Sequence, residues 1–119
     1  LMETMQETLD LSLELNTEHA NFYAAMALPG SPLYMYAKKN DWDLPEKFEE
    51  FAFLSYECKP LRTKRMTGAE VLKFRDEAWH KYFSHEPFLK LVETKFGVNS
   101  RKNLEEMSKI KLKRKILGD

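Results

Sequence analysis

Between Thr4 and Asn16 apolar residues recur at helical spacing, with Met5, Leu9 and Leu13 on one stripe and Leu11 and Leu15 beside it. That pattern predicts an amphipathic helix ended by Asn16 and Thr17. The period then changes. Ala20 to Met26 is apolar on both faces apart from Asn21, the signature of a parallel strand covered on both sides, and it predicts the one strand of the chain. Ser31 followed by Pro32 offers an N-cap and a first-turn proline for a short helix from Leu33 to about Lys39. After a loop from Asn40 to Leu44, Pro45 opens one more helical stretch through Phe51.

From Phe53 to Arg65 no period is visible, and Pro60 interrupts the run. The expectation is an extended, ordered crossing in which Phe53, Leu54, Tyr56 and Leu61 seek burial. Thr67-Gly68-Ala69-Glu70 is a capping box, in which hydroxyl and carboxylate each satisfy a free amide at a helix start. The helix that follows, to about Ser84, stacks Val71, Phe74, Ala78 and Tyr82, with Leu72, Trp79 and Phe83 beside them. Pro87 starts another helix carrying Phe88, Leu89, Leu91, Val92 and Phe96, stopped by Gly97. Ser100 is expected to cap a last helix with Leu104, Met107, Ile110 and the Leu112 to Ile116 end. The resulting fold class is α+β, mostly α-helical, with low strand content.

Composition narrows this only modestly. A length of 119 residues suits one small domain, and 43% apolar with 13% aromatic residues suffices for a core. No stretch approaches the roughly 18 consecutive apolar residues of a membrane span, and no signal peptide opens the chain. A start at Leu1 rather than Met suits a piece cut from something larger. The single cysteine, Cys58, excludes an internal disulfide and a four-cysteine cluster made by this chain alone, and fits a reducing cytoplasm.

Charge is distributed unevenly although the net is zero. Residues 1–57 carry eleven acids against three lysines, giving −8, and residues 58–119 carry eight acids against sixteen bases, giving +8. The halves can attract each other, within one chain or between copies, or the basic half can recruit an acidic partner.

A catalytic set is hard to assemble from this sequence. His19 stands alone, and His80 and His85 have no cysteine pair to complete a zinc site, so each reads as structural. Cys58 has Lys59 beside it but no neighbouring histidine, and Glu49 and Glu50 point different ways on a helix. Four glycines make no phosphate loop. Lys109 to Lys115, KIKLKRK, holds five basic residues in seven, but Ile110, Leu112 and Ile116 interrupt it and no aromatic is interleaved for base stacking. It reads first as a solvated helix face. Tyr34, Tyr36, Trp42 and Tyr56 are available to line a pocket for a flat molecule, or simply to pack.

Three pieces of the chain carry a resemblance: Glu3-Thr4-Met5-Gln6-Glu7-Thr8, the string Ala27-Leu28-Pro29-Gly30-Ser31-Pro32-Leu33-Tyr34, and Phe74-Arg75-Asp76-Glu77-Ala78. Together they resemble the carboxyl-terminal part of radical S-adenosylmethionine proteins. Within that family the match is to the subgroup with an amino-terminal cobalamin-binding domain, similar to the anaerobic magnesium-protoporphyrin IX monomethyl ester oxidative cyclases. The resemblance covers essentially the whole chain and is strongest over residues 3–37 and from Thr67 to Tyr82.

It implies that residues 1–34 are the last helix and strand of a partial β/α barrel, with chemistry at the carboxyl ends of its strands, and that residues 35–119 are a helical extension. By the same resemblance Ala25, Met26 and Ala27 come near the adenine of S-adenosylmethionine. The CxxxCxxC cluster motif, the glycine motif and the cobalamin domain are absent from this sequence. The 4Fe–4S cluster, S-adenosylmethionine and any cobalamin therefore belong to a parent chain, to which this chain would be a non-catalytic wall and substrate cap. The rest of that parent is the expected partner, with a homodimer through the exposed strand as a second. From a different class, the alternative is a helical protein- or nucleic-acid-interaction module with a basic carboxyl-terminal face, nucleic acid being the less expected ligand.

Overall fold

Five α-helices and two short 3-10 helices account for the regular structure of a computed structural model that describes residues 2–119. Helix α1 spans Met2–Leu15, and Asn16 ends it in the left-handed conformation at φ 47°, where a short polar side chain is tolerated. Helix α2, Pro32–Lys39, begins as its sequence requires: the Ser31 Oγ accepts the Tyr34 amide at 3.1 Å, and proline fills the position whose amide would be orphaned. Helix α3 spans Gly68–Phe83, α4 Glu86–Phe96 and α5 Val98–Ser108.

The expected strand is not formed. Among the described residues there is no sheet, and Ala20 to Met26 runs as irregular backbone. The fold class is therefore all-helical, not α+β, and contains no barrel strand. A strand exists only as part of a hydrogen-bonded ladder, and no second run in this chain supplies one. What the segment makes instead is local: the Ala25 carbonyl accepts the Leu61 amide at 2.9 Å, and the Met26 carbonyl closes a tight turn to the Leu28 amide at 3.1 Å. Ala24 and Ala27 are buried while Ala25 is exposed and Met26 half-buried, a spacing of three that strict alternation would not give.

Three further expectations need correction. Pro45 to Phe51 does not become an α-helix; it contains only a 3-10 turn at Phe48–Phe51. Ser100 lies inside the first turn of α5 and donates to the Phe96 carbonyl, while Gly97, at φ 94°, both ends α4 and precedes α5. The run from Leu112 to Ile116 leaves the helix altogether and ends in a 3-10 turn at Lys115–Leu117.

The chain divides into two compact units, Leu1–Phe22 with Asp76–Lys111, and Tyr23–Arg75 with Leu112–Asp119. The first is built on Tyr82, Phe83, Phe88, Leu89 and Val92, with Leu13, Phe22, Trp79 and Leu104 packed against them. Trp79 stacks on Phe83 at 4.8 Å, and the buried Tyr82 hydroxyl donates to the Thr17 carbonyl at 2.5 Å, so that hydroxyl is satisfied. Arg101 ties α4 to α5 by bonding Glu86, Glu93 and Glu105 at 2.9–3.0 Å. These carboxylates hold its guanidinium firmly protonated, Glu105 most of all.

The second unit centres on Ala27, Ala37 and Leu61, with Tyr34, Trp42 and Leu44 around them. Of the four residues expected to be buried in the crossing, Leu61 is buried and Phe53 half-buried, but Leu54 and Tyr56 are exposed. The capping box at α3 is fully made: the Glu70 carboxylate accepts the Thr67 amide at 2.8 Å and the Thr67 hydroxyl accepts the Glu70 amide at 3.2 Å. Gly68, next to that cap, passes so close to Pro60 that a Cβ would overlap the Pro60 carbonyl oxygen.

Two outcomes follow from this helix start. Glycine to alanine in a helix ordinarily stabilises by about 0.5–1 kcal/mol; Gly68→Ala is expected to reverse that sign, lowering the urea midpoint, because backbone rather than a flexible side chain must give way. The Thr67 amide and then its hydroxyl hold the Glu70 carboxyl below its ordinary value. The unfolded chain therefore binds that proton more readily, so the contribution is present above the ordinary carboxylate pKa and is lost as pH falls through the folded value. Glu70→Gln is expected to flatten the acid arm of the stability–pH curve, and an unchanged slope would contradict this.

Candidate functional site

The turn between Ala27 and Tyr34 is the most tightly specified feature of the second unit. Ser31 donates its hydroxyl to the Leu28 carbonyl at 2.7 Å and its amide to the same oxygen at 3.1 Å, and Gly30 takes φ 85°, where an L side chain would be strained. Leu28, Pro29 and Gly30 are all exposed. The three residues singled out from the sequence part company beside it. Ala27 turns into the core against Ala37 and Leu61, Met26 is half-buried, and Ala25 faces solvent with its carbonyl committed to Leu61. Aromatic residues gather nearby: Tyr36 meets Trp42 edge-on at 5.6 Å, and the Arg62 guanidinium stands 6.0 Å from the Trp42 ring centroid.

A second candidate, not anticipated from the sequence, lies in the first unit. An open cleft of about 480 Å³ has Phe83, Phe88, Val92 and Leu104 as its apolar bed, and Glu18, His19, Phe96 and Met107 among its rim. Phe96 is 59% and Met107 42% exposed, although both sit on stripes that read as core. His19 places its ring edge 5.7 Å from Phe83 and its Nε2 3.1 Å from the Asn21 side-chain oxygen. Glu18 is ion-paired with Lys95, whose hydrogen bond holds the carboxyl below its ordinary value. The rim hydroxyl of Ser100 is spent on a backbone carbonyl, so no nucleophile and base stand together. The arrangement favours apolar contact over reaction.

The other residues flagged for chemistry have structural partners. Glu50 accepts the amides of Glu46 at 2.6 Å and Lys47 at 3.0 Å, and these bonds, Lys47's foremost, lower its pKa, so it staples the 3-10 turn. His80 packs edge-on against Trp79 at 5.0 Å, and His85 precedes α4 as its cap residue. Cys58 is buried at 1% exposure. Among the described residues no group of three His, Cys, Asp or Glu side chains is placed to hold a metal ion. No described helix is long and apolar enough to cross a membrane.

The basic run is the largest departure from expectation, since it presents no continuous cationic helix face. Lys109 pairs with Glu106 at 2.6 Å and Lys115 with Glu57 at 3.1 Å. Arg114 is fully buried, its guanidinium donating to the Phe53 carbonyl at 2.8 Å and the Ser55 carbonyl at 2.9 Å. Its own amide donates to the Asp119 carboxylate at 2.8 Å, and the Tyr56 hydroxyl donates to the Asp119 carbonyl at 2.9 Å. The tail thus docks as a latch on the 53–57 loop. No sequence signal distinguishes Arg114 from its basic neighbours.

Arg114→Met is expected to cost about 1.5–3 kcal/mol, since hydrogen bonds to a charged group are lost and two part-buried carbonyls lose their donor; chemical denaturation measures it, and Lys113→Met is expected to change little. No protein-family profile matches the chain, and neither a curated protein nor a solved structure is significantly similar to it.

Proposed function

We propose that this chain is the carboxyl-terminal helical portion of a radical S-adenosylmethionine enzyme of the cobalamin-binding subgroup, enclosing substrate without performing the chemistry. The resemblance of residues 3–37 and 67–82 suggests the family. The observation that carries the reading is the surface: seventeen large hydrophobic side chains among the described residues are exposed. Five of them, Tyr23, Leu28, Leu33, Met35 and Tyr36, at 41–65% exposure, crowd the stretch around Ala25 and the glycine turn. Apolar residues concentrated in this way mark a contact surface. On this reading the remainder of the parent chain covers it, with exposed Ala25 and half-buried Met26 offered to the nucleoside end of S-adenosylmethionine.

The 4Fe–4S cluster does not fit this chain, because three thiolates are needed and the sole cysteine is buried. Cluster, reductive cleavage and any cobalamin chemistry are assigned to the parent, and the compartment proposed for it is the cytoplasm. The basic-module alternative loses support from the pairing of Lys109 and Lys115 and the burial of Arg114.

The reading is tested on the gene and on the protein. Sequence upstream of the Leu1 codon is expected to continue the frame and to encode a CxxxCxxC motif. Anaerobic iron–sulfide reconstitution is expected to leave the 119-residue chain without iron and to load the extended chain. A stop codon directly upstream, or a stoichiometric cluster on the short chain, overturns it.

A further inference from the structure

Two surfaces of opposite charge on this chain carry no ion pair among the described residues, and they match. Helix α1 carries Glu3, Glu7, Asp10 and Glu14 at successive spacings of four, three and four, which sets all of them on one stripe. All four are exposed, α1 contains no lysine or arginine, and none joins the ion pairs found among the described residues. One position round the helix, Leu11 and Leu15 stand 54% and 64% exposed.

The complementary surface is the turn at residues 62–65. The Thr63 hydroxyl accepts the Arg65 amide at 3.2 Å and the Met66 amide at 2.9 Å, while the Thr63 amide donates to the Met66 carbonyl at 2.9 Å. The closed turn presents Arg62, Lys64 and Arg65 outward, all exposed, and no carboxylate among the described residues pairs with them. The Arg62 guanidinium borders Trp42, which meets the half-exposed edge of Tyr36. Carboxylates beside leucines thus face a match in cations beside aromatic rings.

We infer that these surfaces form one interface between copies of this chain, the carboxylate stripe of one copy receiving the cationic turn of another, with Leu11 and Leu15 against Trp42. Charge complementarity selects this occupant. Both halves belong to the same molecule, and its net charge of zero opposes no approach of a second copy. A polyanion would occupy the turn and be repelled by the stripe. The cations are held by hydrogen-bonded backbone before contact, which lowers the ordering cost of association.

Sedimentation of the 119-residue chain at roughly 100 µM tests this, a concentration suited to an interface of exposed ion pairs. Association is expected near 0.1 M salt and is expected to weaken at least about tenfold near 1 M, as the Debye length shrinks from about 10 Å to about 3 Å. E7K/D10K and K64E/R65E are each expected to be monomeric, and their equimolar mixture to associate again, because each reversed surface then meets its opposite. Glu7→Gln with Asp10→Asn provides a milder loss, and circular dichroism confirms that every variant stays helical. A chain that is monomeric at both salts, association that neither reversal weakens, or a mixture that stays monomeric overturns the interface. None of these outcomes bears on the upstream cysteine motif.

Discussion

The close approach of Gly68 to the Pro60 carbonyl is the constraint on which most of the structure depends. It allows the crossing segment to pass directly over the start of α3, where the Thr67–Glu70 box takes up two orphan amides. Once begun there, α3 delivers Leu72 to one unit and Tyr82 and Phe83 to the other, all at 3% exposure or less. A side chain at residue 68 would push the crossing away. The Leu61 amide, one residue beyond Pro60, would then be drawn from the Ala25 carbonyl it now meets.

The segment from Ala20 to Met26 shows how an apolar pattern can overstate both burial and regular structure. Ala24 is buried, but Tyr23 and Ala25 are exposed, so the segment is not covered on both faces, and no ladder forms. Hydrogen-bond geometry defines a strand, and apolar composition specifies only that something must cover it. This chain covers it in part and leaves Tyr23 and Leu28 in solvent.

Function divides in the same way. Glu50, Ser100, His80 and Cys58 are each committed to turns, carbonyls, rings or burial, and among the described residues no three His, Cys, Asp or Glu side chains are placed to hold a metal ion. What the molecule offers is surface: apolar side chains around a rigid glycine turn, an open cleft bedded on phenylalanines, and charge sorted into patches.

The sequence alone determined the helix starts and stops that are set within one turn. Ser31 with Pro32, Thr67 with Glu70, and Gly97 at the end of α4 act on amides and carbonyls three or four residues away, so their effect needs no knowledge of the rest of the chain. Helix faces such as Ala78, Tyr82, Leu89 and Val92 were equally legible, because periodicity is local. Tertiary structure decided the remainder. Burying Arg114 takes carbonyls 59 and 61 residues away, exposing Phe96 depends on how α4 meets α5, and the pairing of Lys115 depends on Glu57. Any single cation in KIKLKRK could have been the buried one by composition; only the chain that folds back to meet it selects Arg114, because a buried guanidinium survives only where acceptors converge.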